Sequence, residues 1–140
     1  MVSVANTTPA EVITPESYLG TARLARYVGT KIHPNVSSEY AFAPTLPAND
    51  LTYAGNWNVG SERIVASLGA RLRLNFHARF VYIVLGGKGT VQALVDGKPD
   101  RTLHVNADRL YTVVSGPAAR SGLLELRFSP GVNAYAFTFG

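Results

Sequence analysis

From Leu51 onward, apolar and polar residues alternate with a period of two, the spacing of strands that bury one face and leave the other open. Residues 71–77 are the cleanest case, with Leu72, Leu74 and Phe76 on one side and Arg71, Arg73, Asn75 and His77 on the other. Residues 123–128 repeat it, opposing Leu124, Leu126 and Phe128 to Glu125 and Arg127. In residues 79–85, Val81, Ile83 and Leu85 supply a core face and leave Phe80 and Tyr82 opposite. Further strands are predicted at residues 40–42, 55–59, 62–68, 90–95, 101–105, 110–114 and 135–139, the last with Tyr135, Phe137 and Phe139 on a single core face. Turn chemistry separates them, notably Gly86-Gly-Lys-Gly89, Asp96-Gly97, Gly116-Pro117 and Pro130-Gly131. Short strands at this spacing, without helical patterns between them, predict an all-β antiparallel sandwich of the jelly-roll type. Its core is expected to hold Leu72, Leu74, Phe76, Val81, Ile83, Leu126, Phe128 and Phe137.

The first part of the chain lacks this periodicity. Residues 1–17 are rich in Thr, Pro, Ser and Ala and read as a linker or extended arm, which places a single domain at residues 18–140. Residues 21–27 allow a helical turn, but Gly29, Pro34, Pro44 and Pro47 exclude a long helix after it. A chain of 140 residues is enough for one domain with its own core. It has no cysteine, which excludes disulfides, thiolate ligands and thiol redox chemistry within these residues. The net charge of +4 is spread along the chain, and only Arg71-Leu-Arg73 approaches a basic cluster, so no nucleic-acid footprint is expected. Neither a signal peptide nor an apolar run long enough to cross a membrane is present, so the chain is expected to be soluble, with no direct membrane insertion.

Catalytic constellations are missing. His33, His77 and His104 stand in no metal-binding or nucleophile context, no cofactor is expected, and Asp96, Asp100 and Asp108 have no spacing diagnostic of calcium. Binding chemistry is better represented. Arg73, Asn75 and His77 share a polar face, and if the strand carrying Tyr82 pairs with theirs through Ala78, Tyr82 joins them. A ring among amide and guanidinium groups suits a sugar, whose apolar face stacks while its hydroxyls are bonded. The competing expectation is that the N-terminal arm or a neighbouring domain covers Phe80 and Tyr82. Trp57, between Asn56 and Asn58, either fills the core or presents its indole at the loop end of the sandwich. Arg79 and Arg109 are candidates for ion pairs with Asp108 or Glu125.

In order along the chain, Pro15-Glu-Ser-Tyr18-Leu-Gly20, Ala54-Gly-Asn-Trp57-Asn-Val-Gly60, Phe76-His-Ala-Arg79, Val84-Leu-Gly86, Val95-Asp-Gly97, Arg109-Leu-Tyr111 and the closing stretch from Pro130 to Gly140 resemble the C-terminal domain of DipZ-type thiol-disulfide proteins linked to cytochrome c biogenesis. The resemblance implies a jelly roll like those of carbohydrate-binding modules and galactose-binding-like domains, following a thioredoxin domain on the extracytoplasmic side, in the periplasm or cell envelope. The thioredoxin domain and its Cys-x-x-Cys are absent from this chain, so no redox residue carries over, and Met1 is expected to open a fragment. Phe80 and Tyr82 stand where more polar residues are expected in relatives. Two functions follow as expectations. One is a non-catalytic carbohydrate-binding module using Arg73, Asn75, His77 and Tyr82, or the loop end near Trp57, to hold a glycan. The other is a spacer that docks on the thioredoxin domain of the parent protein and selects its redox partners without binding sugar.

Overall fold

The computed structural model describes residues 12–140, and those residues contain strands and turns with no helix. The strands are β1 (Ser17–Tyr18), β2 (Ser37–Tyr40), β3 (Leu51–Val59), β4 (Ile64–Ala66), β5 (Arg71–Ala78), β6 (Val81–Gly87), β7 (Gly89–Val95), β8 (Lys98–Val105), β9 (Arg109–Val114), β10 (Arg120–Phe128) and β11 (Val132–Phe139). Each pairing between them is antiparallel. The order runs β9-β6-β11-β4-β3-β5-β10-β7-β8, with β1 added to β11 and β2 to β3. This is the expected jelly-roll sandwich.

β3 belongs to both layers. Its first half, Leu51 to Ala54, pairs with β5, while Gly55 to Val59 pairs with β2 and β4. The change of layer falls at Gly55, which has φ 80° and lies so close to Gly69 that a Cβ would collide with its carbonyl. One sheet therefore contains β5, β10, β7 and β8 with the start of β3. The other contains β9, β6, β11, β4, β1 and β2 with its end. At the open side, Arg101 of β8 donates from Nη1 to the Thr112 carbonyl of β9 at 3.3 Å, linking the two edges without a ladder.

Between the layers the expected core is fully assembled: Leu72, Leu74, Phe76, Val81, Ile83, Leu126, Phe128 and Phe137 are all buried. Burial of side chains of this size is worth about 1.5–3 kcal/mol each in transfer free energy, which is why the alternating rows set the register. The Asp96-Gly97 turn joins β7 to β8 with φ of 51° and 81°, the left-handed pair that a two-residue hairpin of matching twist requires.

Four local expectations are corrected. Residues 21–27 form turns and isolated bridges, with no helix. The early strand is Ser37–Tyr40, ending before Phe42. A bulge in β11 between Ala134 and Ala136 breaks the alternation, so that Phe137 enters the core while Tyr135 lines an outer cleft. The ordered domain also begins before Tyr18: Thr14 is 1% exposed and its N–H donates to the His77 carbonyl at 2.9 Å. Of the arm expected at 1–17, residues 1–11 lie outside the described residues.

Candidate functional site

The outward face of the β5, β10 and β7 sheet carries the polar half of the alternation. Antiparallel register places His77 opposite Ser121, Asn75 opposite Leu123, Arg73 opposite Glu125 and Arg71 opposite Arg127. Glu125 is only 7% exposed, yet it serves two guanidinium groups: Oε1 accepts from Arg73 Nε and Oε2 from Arg127 Nε, each at 2.7 Å. Burial by itself raises the Glu125 carboxyl, but the hydrogen bonds from Arg127 and Arg73 and their charges outweigh that, holding it below its ordinary value. Phe42, just past β2, offers its ring to the same group, with the Arg73 and Arg71 guanidinium carbons 4.2 and 5.0 Å from its centroid. Three arginines thus share one carboxylate and one ring. Among the described residues, Nε is the only side-chain atom of Arg73 and of Arg127 that makes a hydrogen bond within the protein.

Beside this group lies a cleft of about 250 Å³, lined by Thr52, Arg73, Asn75 and Leu123 on the sheet and by Ala43, Pro44 and Leu46 on the loop after β2. The loop is tied to the sheet at both ends of that wall. Asn75 Nδ2 donates to the Leu46 carbonyl at 2.8 Å, and the Ala43 N–H donates to Thr52 Oγ1 at 3.0 Å. His77 sits at the end of the row, its Nδ1 2.8 Å from Ser121 Oγ and its backbone N–H donating to Thr14 Oγ1 at 2.8 Å.

The structure therefore brings together Arg73, Asn75 and His77, and separates the other two expected residues from them. After Ala78 the chain crosses to the opposite sheet, where β6 pairs with β9 and β11 and makes no ladder with β5. The reason lies at the corner: the Arg79 and Phe80 N–H groups both donate to the Gly140 carbonyl at 3.0 Å, satisfying there the donors that a β5–β6 hairpin would have used. Tyr82 stands on the outer surface of the other layer, its ring stacked on Phe80 at 6.0 Å and 18°. Trp57 is fully buried, and its indole N–H donates to the Ala54 and Arg71 carbonyls at 2.9 and 3.2 Å, so it offers no ring face to a ligand. Arg79 donates to the Gly116 carbonyl, and Arg109 lies over the Tyr111 ring; neither is among the ion pairs of the described residues. Sequence reasoning missed Arg71, Arg127, Glu125 and Phe42 as site residues. Alternation had put the first three on outer faces, but only the β5–β10 register makes them neighbours.

The chain matches the family described as the thioredoxin-like C-terminal domain over residues 14–140. It is 34% identical over 134 residues to protein DipZ of Mycobacterium bovis and to protein DipZ of Mycobacterium tuberculosis, a match covering 95% of this chain and 19% of each relative. The chain thus spans about a fifth of the length of these curated relatives. Among solved structures, it resembles a family two carbohydrate esterase from Clostridium thermocellum in complex with cellohexaose, with a TM-score of 0.49 and 29% identity, over 56% of this chain and 26% of the other.

Proposed function

The chain belongs to the thioredoxin-like C-terminal domain family, and from that premise we propose that it is a non-catalytic binding module that holds an acidic saccharide on the outer face of the β5–β10 sheet. The observation that carries this reading is the direct opposition of Arg71 and Arg127 across paired strands, with Arg73 alongside. Like charges facing each other in a ladder are unfavourable, and one carboxylate against three guanidinium groups leaves the cluster short of negative charge. A ligand carboxylate supplies the missing charge through the arginine forks, while Asn75 in the adjoining cleft meets hydroxyls. The parent protein is proposed to be a DipZ-type thiol-disulfide protein of the cell envelope, active in cytochrome c biogenesis, with the redox chemistry in its thioredoxin domain. This domain supplies binding only, so insulin reduction and glycosidase assays with it are expected to give background rates.

A second reading is favoured by one specific contact. Thr14 is bonded to His77 and Asn49, so the first of the described residues lie at the His77 end of this same face. A thioredoxin domain attached there would dock an acidic surface on the arginines and present its redox partners beside them.

The two readings separate in a binding experiment on the isolated domain with a trigalacturonate probe. The saccharide reading predicts an affinity of about micromolar to millimolar, weakened by salt and lost in Arg71→Ala and Arg127→Ala. Absence of binding at this face, or equal binding of a neutral trisaccharide there as read at Asn75 and Leu123, would refute it. The docking reading then requires that the separate thioredoxin domain bind the wild type and not the two variants.

A further inference from the structure

A second cleft lies on the other layer, where β1 pairs with β11, and it is unrelated to the arginine face. Its volume is about 320 Å³. Tyr18 and Tyr135 line it, together with Gly20, Ser61, Arg23 and Glu62. The β11 bulge creates it, because an unbroken alternation would not have left Tyr135 outside beside Ala136. Both rings are anchored at their hydroxyl ends: Tyr18 Oη donates to Glu16 Oε1 at 3.2 Å, and Tyr135 Oη accepts from Arg63 Nη1 at 3.4 Å. Backbone forms the floor, since Gly20 packs so closely on Ser61 that a Cβ there would strike the Ser61 carbonyl. At the rim, the Arg23 guanidinium carbon stands 4.6 Å from the Tyr18 ring centroid, and Glu62 adds an acceptor.

We propose that this cleft is a binding site for a single neutral pyranose, such as the terminal residue of a glycan. The volume falls at the small end of the range of about 300–1,000 Å³ typical of ligand clefts, room for one ring and not for an extended peptide. A pyranose has an apolar face for a tyrosine ring and hydroxyls that need both donors and acceptors, which Arg23, Ser61 and Glu62 provide. The opposite charges of Arg23 and Glu62 give no preference for an ionised ligand.

Titration of the isotope-labelled domain with methyl glucopyranoside, methyl galactopyranoside and methyl mannopyranoside tests this, read by amide resonances. At least one is expected to shift Gly20, Ser61 and Ala136 with a Kd of about millimolar, while Asn75 and Leu123 stay unmoved. Tyr135→Ala is expected to weaken that binding about tenfold or more, equivalent to roughly 1.4 kcal/mol, and Tyr135→Phe to preserve it. Ala22 also lines the cleft, and Ala22→Leu, which crowds it while removing no ring, should block binding even if Tyr135→Ala fails to fold. Shifts confined to other surfaces, no shift with any of the three, or full affinity in Ala22→Leu would overturn the proposal. Because Arg71→Ala leaves this cleft intact, its failure and that of the acidic site are distinguished.

Discussion

Arg73 and Glu125 occupy directly opposed positions on β5 and β10, and the guanidinium Nε meets Oε1 at 2.7 Å with the carboxylate almost wholly buried. Since the same carboxylate holds Arg127 through its other oxygen, one residue fixes two arms of the arginine cluster. Ion pairs near a surface stabilise little on their own, so the consequence is chiefly the positioning of the forks.

Glu125→Gln is therefore expected to change the acid side of the stability profile. The folded-state carboxyl lies below its ordinary value of 4.5, so its contribution is present above that pH and is lost as pH falls through the folded value. The wild type should lose stability relative to Glu125→Gln as pH drops below 4.5, with the two curves converging at the acid end. Urea unfolding at a series of pH values checks this, and parallel curves would contradict it.

Alkaline behaviour is set by buried phenols. Burial and, to a smaller extent, Tyr40 raise Tyr27, while burial followed by Tyr27 and Tyr40 raises Tyr53; Tyr27 and Tyr53 donate to the Thr30 and Leu19 carbonyls. Their folded values exceed the ordinary 10.0, so their stabilising effect is complete below that pH and declines as pH rises above it. Phenolate absorbance should show these two tyrosines ionising only together with unfolding. A smooth titration of all seven tyrosines in the folded state would be inconsistent with this packing.

Leu74 is completely buried between the layers, and Leu74→Ala is expected to cost about 2–5 kcal/mol in thermal or denaturant unfolding. A cost under about 1 kcal/mol would mean that the site collapses or is not core.

Gly55→Ala challenges the point at which β3 changes sheets. An L residue at φ 80° is strained by about 1–3 kcal/mol, and the new Cβ also meets the Gly69 carbonyl. Gly97→Ala, at a similar φ of 81° in open space, carries the strain alone and serves as the comparison. Equal melting temperatures for the two variants would refute the close approach at Gly55.

Alternation and turn residues made the sandwich readable because period-two burial is a local property: the rows at Leu72, Leu74 and Phe76 and at Leu124, Leu126 and Phe128 declare their faces without reference to partners. The same information places Arg73, Asn75 and His77 on one surface. It does not say which strand lies next to which. Consecutive strands β5 and β6 invite a hairpin, yet the corner at Arg79 and Phe80 finds its partner in Gly140, far along the chain, and this moved Tyr82 to the opposite layer. The bulge at Tyr135 was hidden for a related reason, since an extra residue is recognisable only against the register of β6. Glu125 and Arg127 were placed on an outer face from sequence, but their meeting with Arg73 and Arg71 is a matter of pairing between strands separated by about fifty residues.

The separation of Tyr82 from the arginine face has its own test. Tyr82→Ala is expected to leave trigalacturonate binding unchanged, because the two groups lie on opposite outer surfaces of the sandwich. A loss of binding without a fall in melting temperature would contradict the assigned topology of the site.

The most direct test of the binding account is the amide-resonance map of the domain titrated with trigalacturonate. The account predicts concerted, saturable shifts at Thr52, Arg71, Arg73, Asn75, Leu123 and Arg127, abolished by Arg127→Ala and absent with the neutral trisaccharide. No shift at these residues at concentrations up to about 10 mM, or shifts that survive Arg127→Ala undiminished, would contradict it.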